Sequence, residues 1–202
     1  MKSQSHNPRK RVSRIDEFWH WFCEVAAALE TNVVPPALLK ELDDRVRSLD
    51  PELSWEIGPG LSKPCQLVIS PNLSRDLREK ARKIVTRAPT LPAWEFYAAR
   101  QRKEWQYKLE LGGDRLTIDA SRWTFVLLRY PDGAYEVLLK GRNLPSLSHD
   151  ERRQAAAITL ESILGEDLIL DRVSQFELVD SLKPQFAEKE RPIQSLREAL
   201  AG

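Results

Sequence analysis

Apolar and polar positions alternate along this chain in two different rhythms. From Phe18 to Leu29 the apolar residues Phe18, Trp19, Trp21, Phe22, Val25, Ala26 and Leu29 recur at helical spacing behind a start signal at Ser13 and Asp16. A second helical stripe, Leu38, Leu39, Leu42, Val46 and Leu49, opens at Pro35-Pro36 and stops at Pro51, since proline suits a first helical turn and cannot continue a helix. These two segments predict an N-terminal helical pair packed on a sheet.

The rhythm then shortens to two. Strands are predicted over 53–58 and 66–70, with a sharp turn at Gly58-Pro59-Gly60, then a helix over 74–87 and a third strand over 94–99. A hairpin is predicted over 106–111 and 115–120 around Gly112-Gly113. The same order returns in the second half: strands over 123–130 and 134–140 joined at Pro131-Asp132-Gly133, a helix from the capping box Ser148 to Glu151 up to Gly165, and a strand over 173–179. A short helix over 192–201 closes the chain. The expected fold class is α+β, a mostly antiparallel sheet built from two strand-strand-helix-strand units with a possible ferredoxin-like relationship. The expected organisation is a disordered basic tail over 1–12 and one α+β domain over 13–202, with a pseudo-repeat at 53–104 and 123–180. One continuous sheet is the expected product of the two halves, with two separate sheets as the alternative.

Four aromatic–Glu–aliphatic or aromatic tripeptides mark the strands: Trp55-Glu56-Ile57, Trp94-Glu95-Phe96, Tyr135-Glu136-Val137 and Phe176-Glu177-Leu178. Successive strand side chains alternate faces, so each tripeptide should bury its apolar pair and turn its carboxylate to water. Convergence of at least two of Glu56, Glu95 and Glu177 in one cleft would instead point to a hydrolase with paired carboxylates. Alternation alone favours the solvated reading.

Composition narrows the function classes. The net charge of +1 argues against a general polyanion binder, yet Arg75, Arg78, Arg82, Lys83, Arg87, Arg100, Arg102 and Lys103 crowd the stretch 75–108 with Trp94, Tyr97 and Trp105 among them. That stretch is the basis of an alternative nucleic-acid-binding reading. Cys23 and Cys65 form no CxxC pair, and the three histidines, His6, His20 and His149, show no metal-ligand spacing. No P-loop, G-x-G-x-x-G or G-x-S-x-G motif occurs, so no cofactor, metal or catalytic residue is nominated. The absence of a leader pattern or apolar span, together with the composition, predicts a bacterial cytoplasmic protein without membrane contact. The leading expectation is a non-enzymatic protein–protein interaction module, with a surface including Glu56, Glu95, Glu177, Arg78, Arg82 and Arg100. Six tryptophans add weight to it.

Phe18-Trp19-His20-Trp21-Phe22, Trp55-Glu56-Ile57-Gly58-Pro59-Gly60, Leu67-Val68-Ile69-Ser70, Ala88-Pro89 with Trp94-Glu95-Phe96, and Leu164-Gly165-Glu166 occur in that order. Over residues 15 to 180 the chain thereby resembles a group of uncharacterised bacterial proteins with an F-W-x-W-F helix, a W-E-I-G-P-G segment and an A-P-x-x-x-x-W segment. The resemblance implies no assigned activity and no functional residues. It implies at most an accessory or immunity-type role beside secreted toxins.

Overall fold

The computed structural model describes residues 13–31, 33–111, 116–142, 144 and 147–201. The basic tail over 1–12, which includes His6, and the Gly112-Gly113 turn lie outside the described residues. The fold is α+β, and the chain divides into two compact units. The first comprises Met1–Asn72 and Asp76–Ala98, the second Leu73–Arg75 and Ala99–Gly202. The two pseudo-repeat spans fall mainly one in each unit.

In the first unit, helices α1 (Arg14–Leu29) and α2 (Pro36–Leu49) form the expected pair. Ser13 caps α1 by accepting the Asp16 N–H at 3.3 Å. The apolar face of α1 is wide enough to bury both Trp19 and Trp21. Three i,i+4 ion pairs, Lys40–Asp44, Glu41–Arg45 and Asp43–Arg47, support the outer surface of α2. Strands β1 (Ser54–Gly58), β2 (Cys65–Ser70) and β3 (Trp94–Tyr97) follow, with helix α3 (Arg75–Val85) between the last two. β1 pairs antiparallel with β2, and β2 pairs parallel with β3. One sheet face, carrying Leu67, Ile69, Trp94 and Phe96, packs on Phe18, Trp19 and Phe22 of α1, Leu42 and Val46 of α2, and Ala81 and Ile84 of α3. The Phe22 ring stands edge-on to Trp94 and Phe96, at 5.0 and 5.6 Å between centroids.

The second unit repeats the plan. A hairpin of β4 (Lys108–Leu111) and β5 (Leu116–Asp119) precedes β6 (Thr124–Arg129) and β7 (Tyr135–Lys140), which pair antiparallel. Helices α4 (His149–Leu164) and α5 (Glu166–Arg172) then cross over to β8 (Val173–Val179), laid parallel to β7. The two-residue β9 (Arg191–Pro192) closes the far side on β6, and α6 (Leu196–Ala201) ends the described chain. A second core gathers Phe125, Val137, Leu139, Ala155, Leu160 and Leu178.

One expectation is corrected here. Among the described residues the strands do not join into one sheet; they form three, ordered β1-β2-β3, β4-β5 and β8-β7-β6-β9. In each unit the helical crossover returns its last strand beside the middle one, so each hairpin is completed by its own third strand. The second long helix ends at Leu164 with Gly165 as its cap, as expected, and a further short helix follows directly. The chain turns there with φ +78° and restarts as α5, a step that glycine takes without the Cβ clash other residues suffer.

Candidate interaction surface around Glu95

Strand alternation puts Glu95 on the sheet face opposite Trp94 and Phe96, as expected. That face is not wet. Glu95 is only 9% exposed, because the loop 59–64 joining β1 to β2 folds over it. Five donors converge on its carboxylate. Leu61 N–H donates at 3.2 Å and Ser62 Oγ at 2.7 Å, and the Ser62 N–H, Lys63 N–H and Tyr97 hydroxyl complete the set. Three successive backbone N–H groups aimed at one anion make a nest, and here the chain fills its own nest.

The electrostatics agree with that geometry. The bond from the Tyr97 phenol, opposed by desolvation and joined by the Ser62 and Lys63 donors, holds the Glu95 carboxyl down to about 2. Burial, together with the Glu95 charge, pushes the Tyr97 phenol up to about 12. A carboxylate offers roughly four lone-pair sites, so five donors saturate it. Glu95 is therefore neither a general base nor a ligand in waiting; its chemistry is spent on positioning the loop.

Other bonds fasten the same loop. Gly60 N–H donates to the Pro64 carbonyl at 3.3 Å, and Lys63 Nζ to the Leu91 carbonyl at 2.8 Å. Gly60 is pressed so close that a Cβ would lie 2.5 Å from the Lys63 carbonyl oxygen and 3.2 Å from the Glu95 carboxyl carbon. On this fixed support Leu61 is 67% exposed, between the exposed Pro59 and Pro64. The loop thus holds an apolar tip out to solvent.

The remaining nominated residues do not assemble around it. Glu56 shares the Glu95 face by register, opposite Val68 and one cross-strand row away, and is half-buried with a partner of its own. Glu177 is exposed and belongs to the second unit. Glu136 accepts from the Tyr130 hydroxyl at 2.6 Å. No group of three or more His, Cys, Asp or Glu residues suited to a metal ion occurs among the described residues.

The basic stretch 75–108 is divided between the two units and largely committed to internal bonds. Arg82 pairs with Glu79 at 3.0 Å, Arg87 with Asp16 at 3.2 Å, Lys80 with Asp50 at 2.6 Å and Arg100 with Glu161 at 2.9 Å. Arg75 donates to the Leu170 and Val173 carbonyls, and Arg78 also has a partner. The tryptophans are accounted for within the fold in the same way. Trp19, Trp55 and Trp94 donate to the Ile84 carbonyl, Asp43 and Glu30, and the Arg45 guanidinium lies 4.6 Å over the Trp21 ring. Trp105 donates to the Lys108 carbonyl, and Trp123 is buried.

Sequence reasoning missed a second buried carboxylate. Glu166 is fully buried in the second unit and accepts from the Leu73 N–H at 2.8 Å and the Arg100 N–H at 2.9 Å. It also holds Leu73 in a left-handed conformation, φ +60°, that a bulky residue rarely adopts. The readable signal was Gly165-Glu166, an acidic residue at a helix start directly after a glycine.

No protein-family model matches the chain, and no curated protein or solved structure does so at a significant level. The functional reading therefore rests on the geometry above. Among the described residues, no helix is long and apolar enough to cross a membrane.

Proposed function

We propose that the protein is a non-enzymatic protein-binding module of the bacterial cytosol, and that the loop 59–64 is part of its contact surface. The observation that carries this reading is the pinned loop with Leu61 at its tip. Ordering a loop on binding costs free energy, and a loop already fixed in its bound form avoids that cost. Five donors on Glu95 are a large internal investment in one hairpin loop whose apolar tip touches solvent. A partner with an apolar recess would gain the burial of Leu61, Pro59 and Pro64 without paying to immobilise them. The free thiols of Cys23 and Cys65 fit a reducing compartment.

The test is affinity capture from the native host with the full chain as bait. One protein should be recovered reproducibly by the wild type and lost about tenfold or more by Leu61→Asp, the scale of a hot-spot side chain. Val33→Asp, at another exposed apolar position, should leave capture unchanged. Recovery that is indifferent to Leu61, or no recovered protein at all, would overturn the reading.

A further inference from the structure

The two edges of the sheet β8-β7-β6-β9 are built in opposite ways. An edge strand leaves a row of unpaired N–H and C=O groups, which folded proteins blunt with short strands, proline or lysine. β9 follows that rule, with only Arg191 and Pro192. β8 breaks it. Its seven residues, VSQFELV, make it the longest strand among those described, with no proline, no lysine and one charge, Glu177.

The orientation of β8 follows from one bond. The Val179 carbonyl accepts the Gly141 N–H at 3.1 Å, so Val179 turns its backbone polar groups toward β7. Successive residues alternate sides, so Phe176 and Leu178 turn theirs toward the open edge. Beside them lies an open cleft of about 500 Å³, lined by Phe176, Leu178, Asp180 and their neighbours on the strand side and by His149, Arg152 and Arg153 on the helix side. At the other end the register with β7 slips between Val173 and Gln175, and Arg75 Nη2 donates to the Val173 carbonyl at 2.8 Å, which leaves Gln175 to Leu178 as the regular stretch open to a new strand.

That stretch is complementary to itself. Run antiparallel about Phe176, the aromatic ring meets its own copy and Gln175 meets Glu177, within the regular part of β8 that begins at Gln175. Aromatic pairs, amide–carboxylate pairs and opposite charges are favourable across strands, and like charges are not. Moving the centre to Glu177 sets that carboxylate against itself. Moving it to Leu178 sets Asp180 against Phe176.

We propose that the chain forms a two-fold symmetric homodimer in which β8 pairs antiparallel with β8 of a second copy, centred on Phe176, merging two four-stranded sheets into one continuous sheet. This inference is independent of the loop 59–64. Gln175 is exposed, so substitutions there keep the fold while changing the charge set against Glu177 of the second copy, twice per dimer.

Sedimentation velocity on the full chain tests it. The mass should rise with concentration from that of one chain to that of two. Gln175→Lys should tighten the dimer about threefold or more and Gln175→Glu should weaken it by a similar factor. Amide hydrogen exchange should slow at Phe176 and Leu178 as concentration rises. A single-chain mass at every concentration, or a dimer that both substitutions leave unchanged or shift in the same direction, would overturn the proposal.

Discussion

At the scale of single residues, the two buried glutamates do most to shape the molecule. Glu95 and Glu166 each gather backbone N–H groups from chain segments that meet only in the fold. Glu95 also carries a pH dependence whose sign follows from its cause. Its carboxyl is held below the ordinary 4.5, at about 2, so its stabilisation is complete above about pH 4.5 and is lost as pH falls toward 2. Glu95→Gln keeps the shape but removes the charge and points an amide donor at a ring of donors. Thermal melts should show the variant several degrees less stable than wild type at neutral pH, with the gap narrowing in acid. An equal gap at both ends of that range would mean that the carboxylate charge is not what holds the loop. The position of Glu95 on its strand was legible from the Trp94-Glu95-Phe96 alternation; its burial was not.

At the scale of elements, the ends were the most readable parts. Ser148 accepts the Glu151 N–H at 3.3 Å while Glu151 Oε2 accepts the Ser148 N–H at 2.8 Å, the reciprocal pair that the residue spacing predicts. Removing the cap by Ser148→Ala should cost about 1 kcal/mol, read as a lower urea midpoint with an unchanged slope. Pro35-Pro36 and Pro51 bracket α2 for the reasons anticipated. The restart of α5 behind Gly165 was not anticipated, because a glycine after a helix marks a stop by local rules alone. Here the Glu166 N–H donates to the Arg100 carbonyl at 2.9 Å, and that long-range bond helps seat the new helix. The parallel placement of β3 and β8 was likewise beyond local pattern, since a strand reads the same in either direction.

For the molecule as a whole, two cores matter more than one sheet. Phe22 anchors the first and Phe125 the second, both fully buried. Truncation to alanine at either should cost about 3–5 kcal/mol. Native-state hydrogen exchange should then report Phe22→Ala at the Leu67 and Ile69 amides, and Phe125→Ala at those of Val137 and Leu139. Failure of each substitution to loosen its own strands would contradict the assignment of the cores. The sequence by itself determined which face of each strand a side chain occupies, where the capped helices begin, and that helices and strands alternate twice in one order, because periodicity and capping are local physics. The tertiary structure alone decided that the Glu95 face is covered, by donors 32 to 34 residues earlier in the chain. It also decided that Glu166 binds groups 93 and 66 residues away, and that Arg75, Lys80, Arg82, Arg87 and Arg100 of the basic stretch bond within the fold. Those outcomes depend on which distant segments fold over a given face, and neither spacing nor composition encodes that neighbour.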